Sequence, residues 1–198
     1  MPEYYLDTKT YCKSSQIDFK NDQIISITYQ QMDSRTGATK GALQVLKSWE
    51  SSEEDILKKF YNIFKPEEPW EFIPVGFNLP FDFNSLFMRW SEYGIANVSP
   101  LYFSSHPYID LKHVALLCNG GTFKGCTLEK FTGQVYSGDK VMDLYAKKNF
   151  KAIEKYIKDE ARCFVRWYGY LVFELPDDSL KFLKINKDIQ VDISISYE

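Results

Sequence analysis

The stretch VGFNLPFDFNSLFMRW (Val75–Trp90) constrains the fold most strongly, because it joins a buried strand to an amphipathic helix. Gly76 and Asn78 permit a tight backbone passage between the two elements, and Pro80 is tolerated in the first turn of a helix. The apolar residues that follow recur with helical spacing, which predicts the helix. Asp82 then lies at the helix start, and we expect its side chain to face away from the core.

Patterns elsewhere predict the remaining elements. We expect strands at 4–7, 23–31 and 42–47, helices at 56–64, 112–117, 127–131 and 149–171, and a short extended piece at 108–111. This order predicts an α/β fold in which a β-meander is followed by alternating helices and strands, so that a mixed sheet is flanked by helices. We expect one domain over residues 1–171, followed by a tail over residues 172–198 with a possible extra strand at 189–195.

Composition narrows the class of protein. The chain has 198 residues, of which 44% are hydrophobic, and this suits one compact domain with its own core. The four cysteines show no C-x-x-C spacing, which favours reduced thiols inside a cell. No apolar window of membrane-spanning length and no signal sequence stand out, so we expect a cytoplasmic protein with no membrane partner. A net charge of −3 gives no global attraction for nucleic acid.

Three acidic positions could converge on one site. Asp7 ends the first strand, Asp82 begins a helix, and Asp159 or Glu160 lies on the long helix. Mg²⁺ and Mn²⁺ bind carboxylate oxygens, and two such ions about 4 Å apart can clamp the attacking and leaving oxygens of a phosphodiester. The acids could therefore form a site for two metal ions, and nucleases widely use this chemistry.

Three segments in order, YLDTKTY, GFNLPFD and EKYIKDEA, resemble the three motifs of the DEDD superfamily of 3′–5′ exonucleases. The overall amino-acid sequence also resembles an archaeal group of predicted 3′–5′ exonucleases. The second segment is the most specific, because Asn78, Phe81 and Asp82 follow the N-x-x-F-D pattern of the superfamily. The resemblance spans about residues 4–171 and implies a ribonuclease H-like fold.

The resemblance also implies roles for single residues. Asp7 matches the acid that bridges both metal ions, Asp82 matches the acid that binds the second ion, and Glu160 matches the acid of the third motif. Tyr156 stands four residues before Glu160, as in the tyrosine variant of the family, and would orient the attacking water. Asp159 is a competing choice for the third acid.

One residue departs from the family pattern. The first motif of the family is Asp, one residue, Glu, whereas this chain has Asp7-Thr8-Lys9. Residues 7 and 9 of a strand share a face, so the Lys9 ammonium would stand where a metal-binding carboxylate is expected. Lys9 could pair with Asp7 and Asp82 as a built-in counter-ion, or it could swing out and leave room for one ion.

The sequence therefore leaves two functions open. The first, which we prefer at this point, is hydrolysis of single-stranded DNA or RNA from the 3′ end with Mg²⁺ or Mn²⁺, a reaction that Lys9 could impair. The second is an inactive exonuclease fold that binds nucleic acid, a protein partner or a second copy of the chain. The residues that could contact nucleic acid are Asn78, Phe81, Lys151 and Lys155. The lysines at 147, 148, 151, 155 and 158 are either a phosphate track or a solvated face whose partners are Glu154 and Asp159.

Overall fold

The fold is that of a computed structural model, which describes residues 1–12, 17–99, 101–133 and 139–185, with side chains for all of these except 103, 139 and 174–185. Among these residues, no helix is long and apolar enough to cross a membrane. The strand predicted at 189–195 lies outside the described residues.

The described strands form one five-stranded sheet in the order β3-β2-β1-β4-β5. The strands are β1 (Glu3–Tyr11), β2 (Gln23–Met32), β3 (Thr39–Lys47), β4 (Ile73–Gly76) and β5 (Ile109–Asp110). The first three strands pair antiparallel as a meander, whereas β4 pairs parallel to β1 and β5 parallel to β4. The parallel pairs need crossover connections, and helices supply them.

The helices cover both faces of the sheet. They are α1 (Glu53–Phe64), α2 (Leu79–Glu92), α3 (Tyr102–Ser105), α4 (Leu111–Cys118), α5 (Leu128–Thr132), α6 (Asp139–Ala146) and α7 (Phe150–Ile185). One core lies between the sheet and the α1–α2 pair and includes Leu6, Phe60 and Trp90. Two smaller clusters lie on the other face, around Tyr5 and Phe164 and around Ile25 and Tyr156, and α7 contributes to both.

The connection between β4 and α2 is tight, as the sequence predicts. A Cβ atom at Gly76 would stand 2.5 Å from Leu79 Cδ2 and 2.7 Å from the backbone oxygen of Leu6, so only glycine fits there. Asn78 takes a left-handed backbone with φ of 68°, and its N–H donates to Asp110 Oδ1 at 2.8 Å. This turn fixes where α2 begins.

Several elements differ from the sequence predictions; for example, β3 begins at Thr39 rather than at 42, and α3 lies in a predicted loop. β1 continues through Tyr11 rather than ending at Asp7, because it pairs with β2 along its whole length. α6 was not predicted. α7 continues to Ile185 and so crosses position 171, where we expected a helix end and a domain boundary. The division into a domain and a tail stays a prediction.

Candidate functional site

The end of β1 supplies side chains to both faces of the sheet, because strand side chains alternate. Tyr5, Asp7 and Lys9 face α7, and Tyr5 packs against Phe164 of that helix with ring centroids 4.7 Å apart. Thr8 faces the opposite way and is buried. β1 pairs with β4 only as far as Tyr5, so beyond that point another group must satisfy the backbone of β1 on this side.

Asp82 supplies that group. Its Oδ1 accepts hydrogen bonds from the Thr8 backbone N–H at 2.8 Å and from Thr8 Oγ1 at 2.7 Å. The residue is only 4% exposed. The expectation that Asp82 faces away from the core is therefore wrong, because its carboxylate takes over a hydrogen bond that β4 no longer provides. The acid at the helix start ties α2 to β1.

Helix α7 brings Glu160 and Tyr156 to the same place. These residues are one turn apart, both are 6% exposed, and the Tyr156 hydroxyl donates to Glu160 Oε1 at 3.1 Å. Asp159, the competing choice, lies on another face of the helix and pairs with Arg162 at 2.8 Å. The geometry favours Glu160 as the third acid.

Lys9 lies between the acids of β1 and α7. Its Nζ is 3.0 Å from Asp7 Oδ1 and 2.5 Å from Glu160 Oε2, and it stands 5.4 Å from the centroid of the Tyr156 ring. The sequence suggested Asp7 and Asp82 as its partners. Asp7 is a partner, but the second carboxylate is that of Glu160, because Lys9 points towards α7 while Asp82 is bonded to Thr8 on the other side of the strand.

Burial sets the protonation of this cluster. Burial raises the pKa of Asp7 well above its ordinary value, although the Lys9 ammonium acts in the opposite direction. Burial likewise raises the pKa of Asp82 to about 7, against the hydrogen bonds from Thr8. Burial alone would lower the pKa of Lys9, and the carboxylates of Asp7 and Glu160 raise it above its ordinary value. Lys9 therefore stays protonated, and its single positive charge does not balance all the buried carboxyl groups around it.

A cavity of about 440 Å³, which we call the cleft, opens onto these residues. Its titratable lining consists of Asp7, Lys9, Cys12, Asp82, Lys112, Cys126, Glu129 and Glu160, together with the buried Tyr5. Two lysines thus face four carboxyl groups, and one of the two lysines is already bonded to two of the acids. The cleft has a surplus of acidic groups.

The residues do not fit a pair of metal ions as they stand. Lys9 engages Asp7 Oδ1 and Glu160 Oε2, and Thr8 donates twice to Asp82 Oδ1, so each predicted ligand already has a protein partner. Asp7 Oδ2 is buried and has no hydrogen-bond partner among the described residues. No group of three or more His, Cys, Asp or Glu residues within the described ranges could hold a metal ion. The Lys9 ammonium takes the position between Asp7 and Glu160.

The predicted nucleic-acid contacts do not lie together. Asn78 and Phe81 line the cleft, but Asn78 Oδ1 accepts from Lys112 Nζ at 2.7 Å, and Phe81 packs against Phe19 with ring centroids 5.4 Å apart. Lys155 lines a second cavity between α6 and α7. Lys151 is exposed and lines neither cavity.

The sequence did not identify the residues that form hydrogen bonds with the predicted site residues. Thr8 and Lys112 contact Asp82 and Asn78, which are 74 and 34 positions away, so no local pattern could have identified them. A signal for α6 was present, since Val141, Leu144 and Tyr145 have the i, i+3, i+4 spacing of a helix.

Comparisons with known proteins show that the fold resembles that of solved structures, but they assign the chain to no family. No model of a protein family matches the sequence, and no curated protein matches it either. The structure is similar to that of the family B DNA polymerase from the hyperthermophilic archaeon Pyrobaculum calidifontis, with a TM-score of 0.62 and 16% identity over 86% of this chain and 24% of the polymerase. A product-bound structure of exonuclease I matches with a TM-score of 0.49 and 16% identity over 86% of this chain and 45% of that enzyme.

The chain thus spans about a quarter of the polymerase and less than half of exonuclease I. A TM-score below 0.5 does not establish a common fold, and 16% identity does not establish a common activity. The sheet order and the polymerase likeness together confirm the predicted fold, a ribonuclease H-like mixed α/β sheet flanked by helices.

Proposed function

We propose that this chain is an exonuclease-fold protein that binds single-stranded nucleic acid without hydrolysing it. The observation that carries the proposal is the Lys9 ammonium, which bridges Asp7 and Glu160 at 3.0 and 2.5 Å. Two-metal hydrolysis needs those carboxylates as ligands, and an ammonium cannot ligate a metal ion. The second of the two functions left open by the sequence is therefore the better supported.

Tyr156 supports the same proposal. In the tyrosine variant that the sequence resembles, this hydroxyl would orient a water molecule. Here the side chain is 6% exposed and donates its hydrogen bond to Glu160. Burial also raises the pKa of Tyr156 above its ordinary value, so the hydroxyl stays protonated. The hydroxyl serves the ion cluster rather than a reacting water.

Unpaired lysines support nucleic acid as the partner. Glu154, proposed above as a partner of the basic run, pairs instead with Lys47 at 3.0 Å, and Asp159 pairs with Arg162. Lys147, Lys151 and Lys155 make no ion pair with any described residue. Free ammonium groups on one side of a protein are typical of phosphate-binding surfaces. The relationship to an archaeal group of proteins, the cytoplasmic location and a homodimer or protein partner stay predictions.

The test combines cleavage and binding. Single-stranded DNA and RNA labelled at the 5′ end are incubated with the protein in Mn²⁺, in Mg²⁺ and in EDTA, and both strand length and mobility are followed. We expect full-length strands throughout and the same mobility shift in all three buffers. Strand shortening from the 3′ end that is absent in an Asp7→Asn variant would overturn the proposal, and so would the absence of any shift.

A further inference from the structure

A groove between α6 and α7 differs from the cleft in its charge. The groove has a volume of about 460 Å³, and Lys140, Lys147 and Lys155 line it together with Asp143 and Asp159. The carboxylate of Asp159 is already paired with Arg162, which lies outside the lining. Lys147 and Lys155 are exposed and make no ion pair within the described parts of the chain. Three lysines thus line the groove against two carboxylates, one of which is already paired with an arginine, so the lining carries a surplus of positive charge.

The cleft lacks such charge. Asp7, Asp82, Glu129 and Glu160 line it against two lysines. Lys9 is bonded to two of these acids, and Lys112 donates to Asn78. A phosphate entering the cleft would meet more carboxyl groups than free cations, and it would receive no help from a metal ion. Each of these carboxyl groups that is ionised would repel a phosphate in this partly desolvated site, so the cleft disfavours a nucleic-acid backbone.

Helix α6 separates the two cavities. Val141 and Met142 of this helix line the cleft, whereas Lys140, Asp143 and Leu144 line the groove. Tyr156 also lines the groove, and its hydroxyl donates a hydrogen bond to Glu160 of the cleft. The groove and the cleft are thus neighbours on opposite sides of one short helix.

We propose that the α6–α7 groove, and not the cleft, holds the phosphodiester backbone of a single strand, with Lys147 and Lys155 contacting its phosphates. The inference rests on the proposed function and identifies the surface that performs it. Lys147 stands just after the last turn of α6 and Lys155 on the second turn of α7, so the two ammonium groups approach the groove from different elements. Contacts from two elements fix the position of a strand better than a row of lysines on one helix.

The experiment measures binding of a fluorescent single strand to the full chain by anisotropy at about 0.1 M salt, with variants Lys147→Glu and Lys155→Glu. Lys59→Glu is the matched control, because Lys59 is exposed on α1, far from α6 in the fold, and the change in net charge is the same. We expect each groove variant to weaken binding at least tenfold and the control to change it less than twofold. Parallel titrations with oligodeoxyuridylate and oligouridylate, which share the same base, show which sugar the site accepts.

The outcomes separate this inference from the proposed function. If the unaltered protein binds strands and all three variants bind equally well, the groove is not the binding surface, whereas the proposed function stands. If Lys59→Glu weakens binding as much as the groove variants, the effect is one of net charge, and the groove is again excluded. If the unaltered protein binds neither DNA nor RNA, the proposed function itself fails. Circular dichroism verifies that every variant is folded.

Discussion

Lys9 follows Asp7 by two residues on β1, so both side chains reach the face of the sheet that α7 covers. The Lys9 side chain is only 11% exposed, and Glu160 stands 151 positions away in sequence. A buried cation persists when carboxylates surround it, because the cost of its desolvation is then offset. One substitution of Glu by Lys in a metal-binding motif would thus exchange an external cation for an internal one.

Replacement of Lys9 by Glu should recreate the demand for an external cation. Asp7, Glu160 and the new carboxylate would then face each other without a counter-charge, and a divalent ion binds such a set of oxygens. We expect Lys9→Glu to unfold at a lower temperature than the unaltered protein in EDTA and to regain several degrees in Mn²⁺. Thermal unfolding followed by circular dichroism measures both values.

The unaltered protein is the control, and its unfolding temperature should not change with Mn²⁺. A rise for the unaltered protein equal to that of Lys9→Glu would show that the site takes a metal ion despite the ammonium. Calorimetric titration with Mn²⁺ provides the second measurement.

Removal of the ammonium alone should destabilise the fold. Lys9→Met keeps most of the side-chain volume but leaves Asp7 and Glu160 buried without a cation, which costs about 3 kcal/mol for a broken buried ion pair. The triple variant Asp7→Asn, Lys9→Met, Glu160→Gln removes all three charges together, and we expect its free energy of unfolding to return to within about 1 kcal/mol of the original. Urea unfolding measures this difference, and a triple variant as unstable as Lys9→Met would contradict the explanation.

Helix α7 and the turn between β2 and β3 make close backbone contact. A Cβ atom at Gly37, where φ is 67°, would stand 2.5 Å from the Cα of Gly169 on α7. Gly37→Ala therefore combines left-handed strain of about 1–2 kcal/mol with a steric clash of about 1–3 kcal/mol. We expect it to lower the free energy of unfolding by about 2–5 kcal/mol, as measured in urea.

Gly41→Ala is the control for that change. Gly41 has φ of 80°, but nothing lies within 4 Å of its added Cβ, so only the backbone strain of about 1–2 kcal/mol applies. Equal losses for the two variants would mean that the meander does not rest on α7 through this glycine.

The elements also show how far the sequence can predict the structure. The alternation of apolar and polar residues predicts the meander, and helical spacing and capping signals predict α1 and α2, because local preferences and burial agree there. Ser52, for example, caps α1 because its side chain accepts a hydrogen bond from the Asp55 N–H. The acids on β1, α2 and α7 are predictable as a set. Their partners are not, since the contact of Asp82 with Thr8 and that of Lys9 with Glu160 depend on the packing of distant segments.

The net charge of the whole molecule determines how the binding of single-stranded nucleic acid should respond to salt. A net charge of −3 provides no long-range attraction for a polyanion, so affinity must come from a local group of lysines. Lys147 and Lys155 of the α6–α7 groove are the two proposed phosphate contacts. For single-stranded nucleic acids, each phosphate contact contributes a slope of about −0.7 to the plot of log affinity against log salt, which gives about −1.4 for two contacts.

We therefore expect affinity for oligothymidylate to fall about sevenfold between about 0.05 and 0.2 M salt, because a slope near −1.4 acts over a fourfold change in concentration. Anisotropy titrations at four or more salt concentrations measure the slope. Lys147→Glu should bring the slope closer to zero by at least about 0.7, since at least one phosphate contact is lost. A slope steeper than about −5 would require many more phosphate contacts than the groove can make, and the strand would then have to follow a broader surface of the molecule.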